Sequence, residues 1–166
     1  VPDFREGQVS FDEEGHLERG KTPTVMNPND LHALRAALQT RVRHGGRVSV
    51  MSMGPPGYKE VLQEGMEDVY ADDLFLLSDR EMAAADTWAT AITLSAGIEK
   101  RGMPDVIFAG FKTADGETGH TGPQTCWCLD IPMVTHVVAL DIDEEEGVLR
   151  AKRLVEGDIE EIETVE

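Results

Sequence analysis

Residues 105–123, DVIFAGFKTADGETGHTGP, pass from a short apolar run into a loop dense in Gly, Asp and Thr. Asp105 to Gly110 reads as a strand, and Gln124 to Leu129 just beyond reads as a helix, so the loop joins a strand to a helix. In an open parallel sheet, ligands bind outside the carboxyl ends of the strands. That rule makes this loop, together with the Gly-rich segment after Met53, the candidate site. Gly119-His120-Thr121-Gly122 falls where the helix begins and would aim free backbone N–H groups and a positive dipole end at an anion, for which phosphate is the natural guest. The spacing is neither G-x-G-x-x-G nor a Walker loop, and a plain strand-to-helix turn is the competing reading of the same residues.

Upstream, the elements alternate. Asn27-Pro28-Asn29-Asp30 supplies cap residues ahead of Leu31, Leu34, Leu38 and Val42, whose spacing places them along one helical face, and Gly45-Gly46 ends that helix. Arg47 to Met53 reads as a strand closed by Gly54-Pro55-Pro56-Gly57, and Tyr58 to Glu67 as a second helix. Leu74 to Leu77 is a compact apolar run of the kind found in a parallel strand buried on both faces. Asp86 caps a third helix with Trp88, Ala91, Ile92 and Ser95 on one face, closed by Gly102. Downstream, Met133 to Ile142 reads as a strand, and Glu145-Glu146-Gly147 turns into Val148 to Val155, after which the acidic tail adds an extended piece. At the start, Val9 to Phe11, a turn at Asp12 to Gly15, and Leu17 form a hairpin-like pattern. Strands and helices alternating at this length predict one α/β domain over residues 1–166, Rossmann-like, with an open, mainly parallel sheet flanked by helices.

Composition narrows the function classes. The 166 residues carry 15 Lys plus Arg against 32 Asp plus Glu, a formal net charge of −17. A nucleic acid or an anionic membrane would require a concentrated basic face, and the largest basic cluster is only Arg41, Arg43, His44 and Arg47. Residues 141–166 hold 11 acidic and 3 basic side chains, which reads as a solvated surface, with a steering patch for a basic partner as the alternative. The 40% hydrophobic content is enough to bury a core. No run approaches the roughly 18 apolar residues of a membrane span, and Val1 to Glu6 lack the order of a secretory signal, so the cytoplasm is the expected location. Cys126 and Cys128 are spaced C-x-C and read as small apolar side chains, not as a redox or metal motif.

A catalytic constellation is not assembled by these residues. Of the five His, only His120 belongs to the candidate loop, where it suits a hydrogen bond to phosphate as well as it suits a general base. Asp115 and Glu117 read as an acid/base or Mg²⁺ pair without a nucleophile or further ligands beside them. No metal is expected.

Set in order, several stretches resemble one family. Val1-Pro2-Asp3, Met26-Asn27-Pro28-Asn29-Asp30, Ser52-Met53-Gly54-Pro55, Leu76-Leu77-Ser78-Asp79-Arg80, Ala85-Asp86-Thr87, Ala114-Asp115-Gly116-Glu117-Thr118 and Gly122-Pro123-Gln124 follow the order and spacing of the electron transfer flavoprotein beta subunit. Residues 151–162, AKRLVEGDIEEI, resemble that family's C-terminal signature, and the resemblance implies that 141–166 is a peripheral acidic extension built as a C-terminal β-hairpin. The resemblance implies an adenine nucleotide alpha hydrolase-like fold and an electron carrier subunit without substrate chemistry of its own. It implies a heterodimer with an alpha subunit, whose FAD takes electrons from dehydrogenases and passes them to a quinone oxidoreductase or another acceptor. It also implies a buried nucleotide in this subunit, AMP in the common branch and a second FAD in the electron-bifurcating branch.

By motif, that nucleotide would be held by Asn27, Pro28, Asn29, Asp30, Met53, Gly110, Phe111, Lys112, Thr113, Ala114, Asp115, Gly116, Glu117, Thr118, Gly119, His120 and Thr121. The loop resembles the bifurcating outline D-G-D-T-x-Q-V-G-P more than the AMP-binding D-D-x-x-x-Q-T-G-Q, but carries His120-Thr121 where that outline has Gln-Val. A family member begins with an apolar strand ahead of the Val-Pro-Asp stretch and continues into a docking loop and an arm around the alpha subunit. The resemblance therefore implies that these residues are most of a longer subunit. The competing functions are a non-redox adenine-nucleotide-binding regulatory module of the same fold and a small nucleotide hydrolase using His120 and Asp115.

Overall fold

In a computed structural model, residues 1–3, 10–15, 23–67 and 70–165 are described. Their elements run α1 (Pro28–His44), β1 (Ser49–Met53), α2 (Tyr58–Glu67), β2 (Asp73–Leu77), a short 3₁₀ turn (Arg80–Met82), α3 (Thr87–Arg101), α4 (Thr121–Leu129), β3 (Val137–Asp143), β4 (Val148–Val155) and β5 (Asp158–Val165).

The helices start and stop where local chemistry dictates. Pro28 opens α1, a position where its missing N–H costs nothing, and Gly45 closes it at φ 76° with its N–H bonded to the Arg41 carbonyl. Asp86 caps α3, its carboxylate accepting from Ala89 N at 2.8 Å, and Gly102 ends that helix at φ 103°. Asp86→Ala is expected to cost about 1 kcal/mol, read as a lower midpoint in urea with an unchanged slope.

β1 and β2 form a parallel pair, Ser49 opposite Asp73 through Met53 opposite Leu77, with α2 as the crossover between them. Asp72 fastens the start of this pair. Its carboxylate accepts from Val48 N at 2.8 Å and from Arg41 Nη1 at 3.1 Å, which ties the last turn of α1 to the sheet. The backbone hydrogen bond from Val48, with Arg41 beside it, holds that carboxyl below the usual carboxylate range. Helix α3 lies close to the pair because Gly97 has no side chain. A Cβ there would come within 2.8 Å of Leu77 Cδ1 and 3.1 Å of Met51 Sδ. Arg101 at the end of α3 sits over the Phe75 ring, 4.1 Å from its centroid.

Several expectations are corrected. The parallel sheet has two strands among the described residues. Residues 105–110 are not a strand. A strand exists only where a neighbour completes its ladder, and β1 is paired with β2 alone. The expected C-terminal hairpin is present as the antiparallel pair β4 and β5, and β3 joins it to make a three-stranded sheet in the order β3-β4-β5. Its first strand begins at Val137, not Met133, because His136 takes a left-handed φ of 57° and redirects the chain. Leu34 faces the core as the helical spacing requires, whereas Val42, near the end of α1, is 82% exposed. On α3, Ala91 and Ser95 are buried, and Trp88 and Ile92 face outward. The turn at Asp12 to Gly15 is present, closed by Gly15 N to the Asp12 carbonyl at 3.0 Å. The flanking pieces at Val9 and Leu17 lie outside the described residues.

Each of the three cations in residues 141–166 is matched to an acidic residue of the same segment. Arg150 pairs with Asp143 and Glu146, Lys152 with Glu161, and Arg153 with Glu160. These pairs cross-brace an acidic sheet, which is how like charges so densely placed are accommodated. Among the described residues, no helix is long and apolar enough to cross a membrane.

Candidate functional site

The loop after Gly110 is pinned at both ends by close approaches. A Cβ on Gly110 would stand 2.8 Å from Asp30 N and 2.9 Å from the Asn29 carbonyl carbon, so the start of α1 rests directly on the chain at this point. At the other end, a Cβ on Gly122 would meet Ala109 Cβ at 3.2 Å. Between them, Gly119 adopts φ 64°, and its Cβ position lies 3.3 Å from the Phe111 carbonyl oxygen. Glycine is needed at 119 for both its dihedral and its contact.

A clamp from α1 reaches across the sequence. Asn27 Nδ2 donates to the Lys112 carbonyl at 2.9 Å and to Asp30 Oδ2 at 3.1 Å. Asn29 Nδ2 donates to the same Lys112 carbonyl at 2.8 Å. Asn27 occupies the N-cap position of α1 without a side-chain cap bond, because its amide is committed to this clamp. Only 3% of Asn27 is exposed, and among the described residues its Oδ1 is buried without a hydrogen-bond partner. Flipping the amide would not help, since it would turn an oxygen toward the Lys112 carbonyl and the Asp30 carboxylate. A buried carbonyl oxygen without a donor is costly. Asn27 Oδ1 is thus suited to a donor from a bound molecule.

Asp30 as a residue remains exposed, but its carboxyl is drawn in under Gly110 and Asn27. Desolvation there raises it above the usual carboxylate range, opposed by the Asn27 amide and the Gly110 N–H. Past Lys112, residues 113–117 turn back on themselves through Glu117 N to the Thr113 carbonyl at 3.0 Å, with Glu117 at φ 51°. Lys112 Nζ meets Glu117 Oε1 at 2.9 Å. Gly116 N donates to Asp115 Oδ1 at 2.9 Å, and His120 N to Thr118 Oγ1 at 3.4 Å.

His120 stands at the N-cap of α4 with no side-chain cap bond. The first intrahelical bond shown at this end runs from Gln124 N to the His120 carbonyl at 2.9 Å. The N–H groups of Thr121 and Gly122 therefore have no acceptor within the helix, and Pro123 has none to offer. Two donors and the positive end of a nine-residue helix stand where the loop closes. Helix α4 extends three residues further toward the loop than the apolar pattern suggested, beginning at Thr121.

The structure thus gathers Asn27, Asn29, Asp30, Gly110, Phe111, Lys112, Gly119, His120 and Thr121 around one loop. Pro28 opens α1 in the same clamp, and Thr113, Ala114, Asp115, Gly116, Glu117 and Thr118 form the turn. Met53 ends β1 opposite Leu77 and takes no part in the clamp. Two further groups were not foreseen. Gln124 Oε1, in α4, is a second buried acceptor without a partner among the described residues. The His136 ring contacts Phe111 with centroids 4.9 Å apart and links the loop to the start of β3. The Gly122-Pro123-Gln124 motif pointed toward the first, whereas nothing in the sequence marked the second. No group of three or more His, Cys, Asp or Glu side chains converges as metal ligands among the described residues. Cys126 and Cys128 are half-buried free thiols, and burial pushes the Cys126 thiol up, away from the reactive thiolate.

Comparison with known proteins bears on this arrangement. The electron transfer flavoprotein domain matches residues 15–166. The chain is 39% identical over 150 residues to the caffeyl-CoA reductase-Etf complex subunit CarD of Acetobacterium woodii, covering 90% of this chain and 56% of that protein. It is 39% identical over 163 residues to the electron transfer flavoprotein subunit beta of Thermoanaerobacterium thermosaccharolyticum, with coverages of 98% and 61%. Protein FixA of Sinorhizobium fredii is 41% identical over 146 residues, with coverages of 85% and 51%. The chain spans between half and about three fifths of the length of these relatives. With the match covering nearly all of its residues, the chain belongs to the electron transfer flavoprotein beta subunit family.

Proposed function

We propose that the chain acts as the beta subunit of a heterodimeric electron transfer flavoprotein, with residues 1–166 forming one nucleotide-binding α/β domain. Its partner is the alpha subunit, the heterodimer carries FAD, and this subunit holds AMP or a second FAD against residues 110–121. Electrons come from dehydrogenases and leave to a quinone oxidoreductase or another acceptor. The bound flavin supplies the redox chemistry, while this chain binds, orients and shields, without substrate chemistry of its own. Placement beside an acyl-CoA reductase, as the name of the Acetobacterium relative describes for that protein, fits the same carrier role.

The observation that supports this reading is the paired polarity of the loop. Asn27 Oδ1 is a buried acceptor awaiting a donor, of the kind an adenine amine or a ribose hydroxyl supplies. Thr121 and Gly122 N–H are donors awaiting an acceptor at a helix start, of the kind a phosphate supplies. A nucleotide satisfies both sets, and an inorganic anion satisfies only one.

Co-expression with the alpha partner tests the reading, through the absorption spectrum and the nucleotides released on denaturation. A yellow complex carrying FAD together with AMP, or a second FAD in its place, is the expected result and decides the branch. A colourless chain that forms no complex would sink the carrier role. Gly119→Val is expected to lower nucleotide content about tenfold or more, since it forces a β-branched side chain to positive φ against the Phe111 carbonyl. His120→Ala should weaken retention less, because the α4 amides remain.

A further inference from the structure

We propose that Lys112 is the cation that takes the nucleotide phosphate and that Glu117 is its resident counter-ion, released when the nucleotide enters. This rests on the nucleotide-binding reading above and goes further, in assigning the loop a charge exchange.

In a chain of net charge −17, the long-range field opposes an incoming phosphate, so affinity must come from a local cation and oriented dipoles. Within residues 110–121, Lys112 is the only Lys or Arg, set against Asp115 and Glu117. Its backbone is immobilised by the two Asn amides on its carbonyl, so only the side chain is free to swing. It also adjoins the helix start, because the carbonyl of neighbouring Phe111 lies against Gly119. The buried, unpartnered Asn27 Oδ1 belongs to the amide that grips Lys112 itself, and independently marks this place as one that receives a ligand.

As it stands, the ammonium is held at 2.9 Å by Glu117, with 35% of the Lys112 side chain and 63% of the Glu117 side chain exposed. An ion pair this open to water contributes little. A phosphate at the α4 start presents several charged oxygens, so it can accept from the helix N–H groups and from the ammonium together, in charge-assisted bonds that a single carboxylate contact does not match. The exchange therefore runs toward phosphate. Glu117 sits on a turn closed through its own N–H, so its carboxylate can rotate into solvent without unfolding the loop. The ion pair screens the lysine until a ligand of higher charge arrives, which favours phosphate over a carboxylate.

The test uses the alpha/beta complex, stripped of nucleotide and titrated calorimetrically with AMP and, separately, FAD. Lys112→Met should weaken the ligand that binds wild type by about tenfold and flatten its salt dependence. Glu117→Gln should tighten it about threefold by removing the competitor for the ammonium. The double variant should match Lys112→Met alone, because Glu117 acts through the lysine. The clamp uses the Lys112 carbonyl, so Lys112→Met retains the fold, which unchanged thermal melting of the nucleotide-free complex checks. If Glu117→Gln binds no tighter, or Lys112→Met no weaker, while Gly119→Val still abolishes binding, the exchange is wrong and the pocket stands. If wild type binds neither AMP nor FAD, the underlying reading fails and the exchange falls with it.

Discussion

Gly110→Ala is expected to lower the free energy of unfolding by about 2–4 kcal/mol and to abolish retention at the proposed nucleotide site. The added methyl would sit 2.8 Å from Asp30 N and 2.9 Å from the Asn29 carbonyl carbon, with Asp30 Oδ1 also in its way. Two of these obstacles are backbone atoms in the first turn of α1, which cannot rotate aside as a long side chain can. Relief requires α1 and the loop to separate. That would strain the Asn27 and Asn29 bonds to the Lys112 carbonyl and the hydrogen bond from Gly110 N–H to the Asp30 carboxyl. Urea unfolding of the two variants Gly110→Ala and Gly57→Ala makes the comparison, since a Cβ at Gly57 meets nothing within 4 Å. The second should lie within about 0.5 kcal/mol of wild type. Equal midpoints for the two would mean that α1 does not bear on the loop.

Asn27→Ala is expected to cost about 2–3 kcal/mol and to make stability more sensitive to pH. The variant removes one of two side-chain donors on the Lys112 carbonyl and the amide that donates to Asp30 Oδ2. The Asp30 carboxyl is already raised by desolvation, and the Asn27 amide is the largest opposing influence. Without it, the carboxyl rises further. A carboxyl raised in the folded state keeps its proton where the unfolded chain has lost it. Stability is therefore highest below the unfolded value and falls as pH climbs toward the folded one. Asn27→Ala widens that window upward, so its deficit relative to wild type should grow from acid toward neutral pH. A deficit that is flat with pH would separate Asn27 from Asp30. If Asn27 Oδ1 is the acceptor for the proposed nucleotide, the thermal shift produced by added AMP or FAD should shrink in the same variant.

Some of this architecture is written locally. Asp86 accepts the Ala89 N–H from three residues away, and Gly45 and Gly102 supply the positive φ that ends α1 and α3. The span of α2, Tyr58–Glu67, follows a Pro-Gly turn and an amphipathic run. These features depend on neighbours a few residues apart, so a linear reading reaches them. The same holds for the candidate loop as a list of residues, since the Gly, Asp and Thr of 110–122 have few local conformations open to them. Membership of the electron transfer flavoprotein family was also legible, because the order and spacing of short motifs survive without any knowledge of contacts.

Other features depend on partners far along the chain. Val106, Ile107 and Phe108 have strand-like composition, yet no ladder forms there, because composition cannot supply the neighbouring strand. Met133 to Ile142 reads as extended, but the strand Val137–Asp143 and its place in a three-stranded antiparallel sheet come from pairing with β4. The exposure of Val42, Trp88 and Ile92 reflects what does not pack against them, which a helical period cannot express.

The division is sharpest at Asn27. By itself, the sequence determined that an Asn-Pro-Asn-Asp run starts a helix, that a Gly-rich loop leads into another, and that the net charge is −17 with no large basic cluster. Only the tertiary structure decided that the amides of Asn27 and Asn29 leave their own helix to hold the carbonyl of Lys112, 85 and 83 residues away. Capping is a contest between nearby backbone donors and whatever folding brings close. Here the distant carbonyl wins, with two amide donors on it, while Asn27 Oδ1 is left without a partner among the described residues.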